Sequence, residues 1–178
     1  MSISPLSMTM DASRAQLLAI LSEGRLLTLL QPVLDLHTGQ MAGYEALTRG
    51  PSNSPLHSPV ALFSAAECAG LTGTLDAACM ASALAAFARL ALPGRLFVNL
   101  TPTSLLDPRF APEAILRAFA DAGLTASQVA FEITETASTV DYAGLRDAVV
   151  DLRAAGIEAA MDDFGQGFSS LRMWSELK

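Results

Sequence analysis

An α/β fold built mainly of parallel strands is predicted by three features of the sequence. From residue 96 onward, short apolar runs alternate with helical patterns: strands over 96–100, 129–133 and 157–161, helices over 112–122 and 142–155. Strands that read as continuous apolar runs between helices are those of a helix-covered parallel sheet. The chain has 178 residues, 51% of them hydrophobic and 16% charged, enough to bury one core and too apolar for disorder. Finally, two β-type runs at 26–34 and 41–47 are joined only by Asp35-Leu36-His37-Thr38-Gly39-Gln40. A parallel crossover needs about a dozen residues or more, so these two strands form an antiparallel hairpin turning at Thr38-Gly39.

The other elements follow in order. Thr9 or Asp11 is placed to cap a first helix over 11–24, which carries Leu17, Leu18, Ile20 and Leu21 and ends near Gly24. The hairpin then brings Gln31 of its first strand beside Glu45 of its second. Loop chemistry fills 51–59 (PSNSPLHSP) and precedes two Ala-rich helices, 60–69 and 75–92, the second stopped by Pro93-Gly94. A last helix begins near Ser169. No linker or repeat divides the chain, so residues 1–178 read as one domain, helix 11–24 followed by an α/β unit over 26–178.

Composition narrows the function. A net charge of −7 and a pI near 4.7 argue against DNA or RNA polymers as partners. Cys68 and Cys79 fall in helical segments without CxxC spacing, which predicts two buried thiols rather than a disulfide or a zinc site. The N-terminus lacks a basic-then-apolar leader and the most apolar stretch, 77–88, stops at Arg89, so no membrane segment and a cytoplasmic protein are expected. His37 and His57 fall in a turn and a loop, with no nucleophile motif beside them. The seven Met residues read as core filler, and Phe164-Gly165-Gln166-Gly167 does not match a phosphate loop.

Polar residues mark the strand ends: Gln31, Glu45 with Arg49, Asn99, Glu132 with Glu135, and Asp162 with Asp163. In a parallel α/β barrel those ends share one mouth, and carboxylates gathered there repel unless a cation holds them. Oxygen-only ligation suits Mg²⁺ or Mn²⁺, and the absence of His and Cys from the set disfavours zinc. Each piece alone has a plainer reading. Glu45 could be an ion-paired strand end, Asn99 before Thr101-Pro102 a turn former, and Asp162-Asp163 a helix N-cap. The combination of five such ends points to a metal site.

Four segments, YEALTR around Glu45, FVNLTPTSL around Asn99, FEITET around Glu132 and DDFGQGFSSL from Asp162, resemble in order and spacing the EAL-domain cyclic-di-GMP phosphodiesterases. The resemblance runs from about Leu26 to the last residue. It implies a modified TIM (β/α)8-type barrel with an antiparallel first strand. It further implies that Glu45, Asn99, Glu132 and Asp162 ligate Mg²⁺ or Mn²⁺, that Asp163 helps bind a second ion, and that Glu135 holds the loop 164–170. Gln31, Leu47 and Arg49 match positions that contact the dinucleotide, Arg49 with the chemistry for a phosphate oxygen. The implied reaction opens one phosphodiester of cyclic-di-GMP with water activated between two ions, giving linear pGpG, with Glu45, Glu135, Asp162 and Asp163 as the catalytic set.

The sequence departs from the family at Gln166, Phe168 and Thr101, and in length. A full barrel takes about 250 residues, whereas the chain stops at Lys178, before the family's later-strand lysine, glutamate and glutamine. The expectation is therefore a barrel cut after about five strands, the N-terminal part of a longer protein with any regulatory domain following it. Open sheet edges and an uncovered inner face favour association, for instance as a homodimer. Two other readings are a catalytically inactive EAL-type receptor or protein-interaction module, and a barrel enzyme acting on an unrelated substrate.

Overall fold

A computed structural model describes residues 5–133 and 141–161, with side chains from 11 to 133 and from 141 to 160. Glu135, Asp162, Asp163, the loop 164–170, the helix expected near Ser169 and Lys178 lie outside the described residues.

The elements run α1 (Pro5–Ser22), β1 (Leu27–Leu34), β2 (Met41–Arg49), α2 (Pro59–Ala69), α3 (Thr72–Leu90), β3 (Arg95–Leu100), α4 (Pro112–Asp121), β4 (Val129–Ile133), α5 (Tyr142–Ala154) and β5 (Glu158–Met161). Short 3₁₀ turns at Ser104–Leu106, Pro108–Phe110 and Ala126–Gln128 join them. The five strands form one sheet in the order β1-β2-β3-β4-β5. β1 pairs antiparallel with β2, and every later pairing is parallel. This is the α/β sheet with an antiparallel first strand that the sequence predicts.

The hairpin turns where its chemistry demands. The Asp35 carboxylate accepts the N–H groups of His37 (2.7 Å) and Thr38 (3.1 Å), and Gly39 supplies the left-handed residue at φ 68°. Gln31 then faces Glu45 directly in the register. One boundary differs clearly from expectation. α1 starts at Pro5, so Thr9 and Asp11 lie inside the helix instead of capping it. Proline is tolerated in the first turn of a helix, so Pro5 does not prevent α1 from extending upstream of Thr9 and Asp11.

Period-2 alternation gives the sheet two unlike faces. Leu96, Val98 and Leu100 of β3, with Val129, Phe131 and Ile133 of β4, are buried against the helices. Phe131 meets Phe119 of α4 with ring centroids 6.1 Å apart. The alternate residues Phe97, Asn99 and Glu132 are only half-buried. β2 and β3 approach so closely that a Cβ on Gly43 would lie 2.1 Å from the Arg95 carbonyl oxygen, so only glycine fits there. A smaller cluster, with Leu17, Ile20, Leu62 and Leu75, packs α1 onto α2 and α3.

Candidate metal centre

The less buried face carries the residues singled out from the sequence. Glu45 of β2 lies opposite Gln31 of β1, and Asn99 of β3 lies directly opposite Glu132 of β4. The two pairs are joined by a side-chain hydrogen bond: Asn99 Nδ2 donates to Glu45 Oε1 at 2.8 Å. Asn99 therefore reaches across to the neighbouring strand, which rules out its being only a local turn former. Gln31 is exposed, while Glu45, Asn99 and Glu132 are half-buried.

Leu47 and Arg49 follow Glu45 at two-residue spacing, which puts all three on one face of β2, stepping towards its C-terminal end. Arg49 Nη1 donates to the Thr48 carbonyl at 2.9 Å. Beyond β2 the loop folds back over Gly50, whose N–H donates to the His57 carbonyl (3.0 Å) and whose carbonyl lies 2.8 Å from His57 Nδ1. A Cβ on Gly50 would meet the Leu56 carbonyl oxygen at 2.1 Å. Both His37 and His57 are exposed, as expected.

Behind the centre, on the helix side, is a residue that the sequence reading passed over. Asp76 of α3 is 1% exposed. Its Oδ2 accepts from the Thr101 N–H (3.1 Å) and the Thr101 hydroxyl (2.7 Å), and Thr101 Oγ1 lies 2.8 Å from Ser104 Oγ. Burial pushes the Asp76 carboxyl above its ordinary value, opposed by hydrogen bonds from Ser104 and Thr101. The signal for it was present: an aspartate at a position where helical spacing with Cys79, Met80, Ala83 and Phe87 calls for an apolar residue.

The thiols differ from expectation. Cys79 is buried, and desolvation drives its pKa up to about 12 against a hydrogen bond from Thr48. Cys68 is exposed. The buried stripe of α2 is Leu62 and Ala66, and two residues past Ala66 a helix has turned by about 200°, which sends Cys68 to solvent.

Only the β2, β3 and β4 members of the expected ligand set are described, and among the described residues no three His, Cys, Asp or Glu side chains gather. No helix among them is long and apolar enough to cross a membrane.

Residues 13–178 match the family model of the EAL domain. The chain belongs to the EAL domain family. Among curated relatives, an uncharacterized signaling protein of Caulobacter vibrioides is 35% identical over 153 residues, which cover 85% of this chain and 19% of that protein. A probable cyclic di-GMP phosphodiesterase of Escherichia coli, PdeI, is 30% identical over 161 residues, covering 86% and 20%. The chain thus spans about a fifth of the length of the curated relatives it matches.

Solved EAL domains share the fold. The FimX EAL domain of Pseudomonas aeruginosa bound to c-di-GMP superposes with a TM-score of 0.78 at 26% identity, covering 93% of this chain and 68% of that one. BlrP1 of Klebsiella pneumoniae, solved as a calcium and cyclic-di-GMP complex, superposes at 0.70 and 29% identity, covering 94% and 45%. The five-stranded sheet is accordingly the first part of the barrel-like EAL fold.

Proposed function

We propose that this EAL domain is a metal-dependent phosphodiesterase that hydrolyses cyclic-di-GMP to linear pGpG. The observation that carries the reading is the Asn99–Glu45 hydrogen bond of 2.8 Å joined to the Asn99–Glu132 register pair. Together they bring three oxygen-bearing side chains from three strands to one face. Support also comes from the cyclic-di-GMP in the FimX and BlrP1 complexes and from the phosphodiesterase PdeI among the relatives.

The donor chemistry of this face fits a hard divalent cation. Carboxylate and carboxamide oxygens, without His or Cys, suit Mg²⁺ or Mn²⁺, and the calcium in the BlrP1 complex belongs to the same oxygen-seeking class. In this reading Glu45, Asn99, Glu132 and Asp162 hold the first ion and Asp163 helps hold a second. Bound there, the ions would supply Lewis-acid stabilisation of phosphoryl charge and a more acidic water.

The chain's own residues provide the rest. Glu45, Asp162 and Asp163 would hold the ions, and Glu135 would hold the loop 164–170. The Arg49 guanidinium exchanges its bond to the Thr48 carbonyl for a non-bridging phosphate oxygen. Leu47 packs against the dinucleotide, and Gln31, exposed at the sheet edge, donates its amide to it. The domain would act in the cytoplasm as one part of a longer signalling protein, paired with a second copy and governed by a regulatory domain.

The test uses the full-length protein with cyclic-di-GMP and Mn²⁺, products separated by chromatography. Glu45→Gln should lower pGpG formation by about a hundred- to a thousandfold, the scale of losing one preorganised contact that stabilises transition-state charge. Turnover that survives the change would sink the assignment. Cyclic-di-GMP binding without product in the unaltered protein would make it a receptor.

A further inference from the structure

We propose that Asp76 is a positioning residue for the metal centre: from behind the sheet it fixes the exit of β3 and hence the place of Asn99 relative to Glu45. This role rests on the functional reading above; Asp76 acts through Thr101, the residue at the exit of β3.

Asn99 occupies the penultimate position of β3, and the chain leaves the strand immediately after Leu100. The first residue outside is Thr101, and both its backbone N–H and its hydroxyl donate to the same Asp76 oxygen, at 3.1 and 2.7 Å. The turn that follows is closed by the Ser104 N–H donating to the Thr101 carbonyl at 3.0 Å, and Ser104 is itself 1% exposed. A buried carboxylate is costly unless such donors satisfy it, so this contact is a strong constraint on where β3 ends.

α3 makes the same kind of contact to the other site strands. Cys79, one turn beyond Asp76, hydrogen-bonds Thr48, which lies between Leu47 and Arg49. Ser82, one turn further, is 2.8 Å from the hydroxyl of Thr28, the register partner of Thr48. The polar row Asp76, Cys79, Ser82 therefore ties one rigid helix to β3, β2 and β1 in turn. A second brace holds the loop after β3: Arg109 Nη1 donates to Thr74 at 2.7 Å, while Nη2 and Nε reach Asp107 at 2.6 and 2.9 Å. Metal ligands held on separate strands need such supporting contacts to stay within a few tenths of an ångström of productive geometry.

The experiment measures Mn²⁺ affinity, by titration calorimetry, together with Tm in the full-length protein. Asp76→Ala should raise the Mn²⁺ Kd at least tenfold, and Asp76→Asn, which keeps an acceptor for both Thr101 donors, should restore it to within about threefold. Thr101→Val, which removes one donor at nearly constant shape, should fall between them and serves if Asp76→Ala does not fold. Leu17→Ala, far away between α1 and its neighbours, supplies the control: it should lower Tm by a similar amount and leave the Kd alone.

Mn²⁺ binding by Asp76→Ala and Thr101→Val equal to the unaltered protein would overturn the proposal. So would a Kd that rises as much in Leu17→Ala, or an Asp76→Asn as weak as alanine. If the unaltered protein neither binds Mn²⁺ nor forms pGpG, the functional reading itself fails and takes this role with it.

Discussion

The two faces of β3 differ in what they are built to do. Leu96, Val98 and Leu100 are buried under helices, at most 2% exposed, whereas Phe97 and Asn99 on the opposite face keep contact with solvent and Asn99 reaches sideways to Glu45. Along six residues every second position is packed into the core, and the others face the proposed ligand cluster. Substitutions on the two faces should therefore have separable effects.

The largest effect is expected on the helix side. Phe131 is fully buried against Phe119, so Phe131→Ala should cost about 3–5 kcal/mol in denaturant unfolding. Phe97 has the same side chain on the other face of the neighbouring strand and is only half-buried; Phe97→Ala should cost less than about half as much. Equal losses at the two positions would contradict the division between the faces.

Thiol chemistry sharpens the contrast next. A thiol pushed up to about 12, as in Cys79, has roughly a thousandth of the thiolate of an ordinary free cysteine at neutral pH, and burial denies reagents access as well. A chromogenic disulfide reagent should titrate the exposed Cys68 promptly and reach Cys79 only on unfolding. Two fast thiols in the native state would show that the α3 face opens.

The same division explains what the sequence disclosed. The hairpin was legible because a six-residue gap leaves no room for a crossover, and it carried the Gln31–Glu45 pairing with it. Asn99 and Glu132 were legible because a strand's polar last residues stand out after an apolar run. Asp76 stood out only as a charged residue in an apolar helical stripe; its partner was not legible, since it lies in a loop 25 residues away, a tertiary fact that no local pattern encodes. Cys68 misled for the opposite reason: α2 is apolar almost all round, so composition did not reveal which stripe packs inward. Thr9 and Asp11 misled as caps because a proline at residue 5 does not stop a helix when it falls in the first turn.

Two carboxylates flanking the loop after β3 give a smaller, pH-dependent effect of opposite sign. Hydrogen bonds from Arg109 lower the Asp107 pKa to about 2, below the unfolded value of about 3.9. Its stabilisation is therefore present above pH 4 and is lost as pH falls through 2; exposure of its Arg109 partner keeps the gain under about 1 kcal/mol. The Asp76 pKa is raised, so its ionisation favours unfolding as pH climbs past the unfolded value. At pH 7, Asp107→Asn should lower Tm slightly and Asp76→Asn should hold or raise it. The reverse order would mean that the hydrogen bonds outweigh burial at Asp76.

The smallest effect lies on the site's own face. At the N-terminal ends of β3 and β5, Arg95 and Glu158 form an ion pair whose side chains are 43% and 54% exposed. Exposed pairs contribute little, since screening and the ordering of two long side chains offset the Coulomb attraction. Glu158→Gln should change unfolding free energy by no more than about 0.5 kcal/mol, and less still in high salt. If it costs several times that, the polar residues of this face are partly structural, and the half-buried Glu45 and Asn99 would have to be reweighed as part of the fold. If it costs as little as expected, the exposed end of this face adds little to cohesion, and the same substitution at the half-buried Glu45 becomes the sharper comparison.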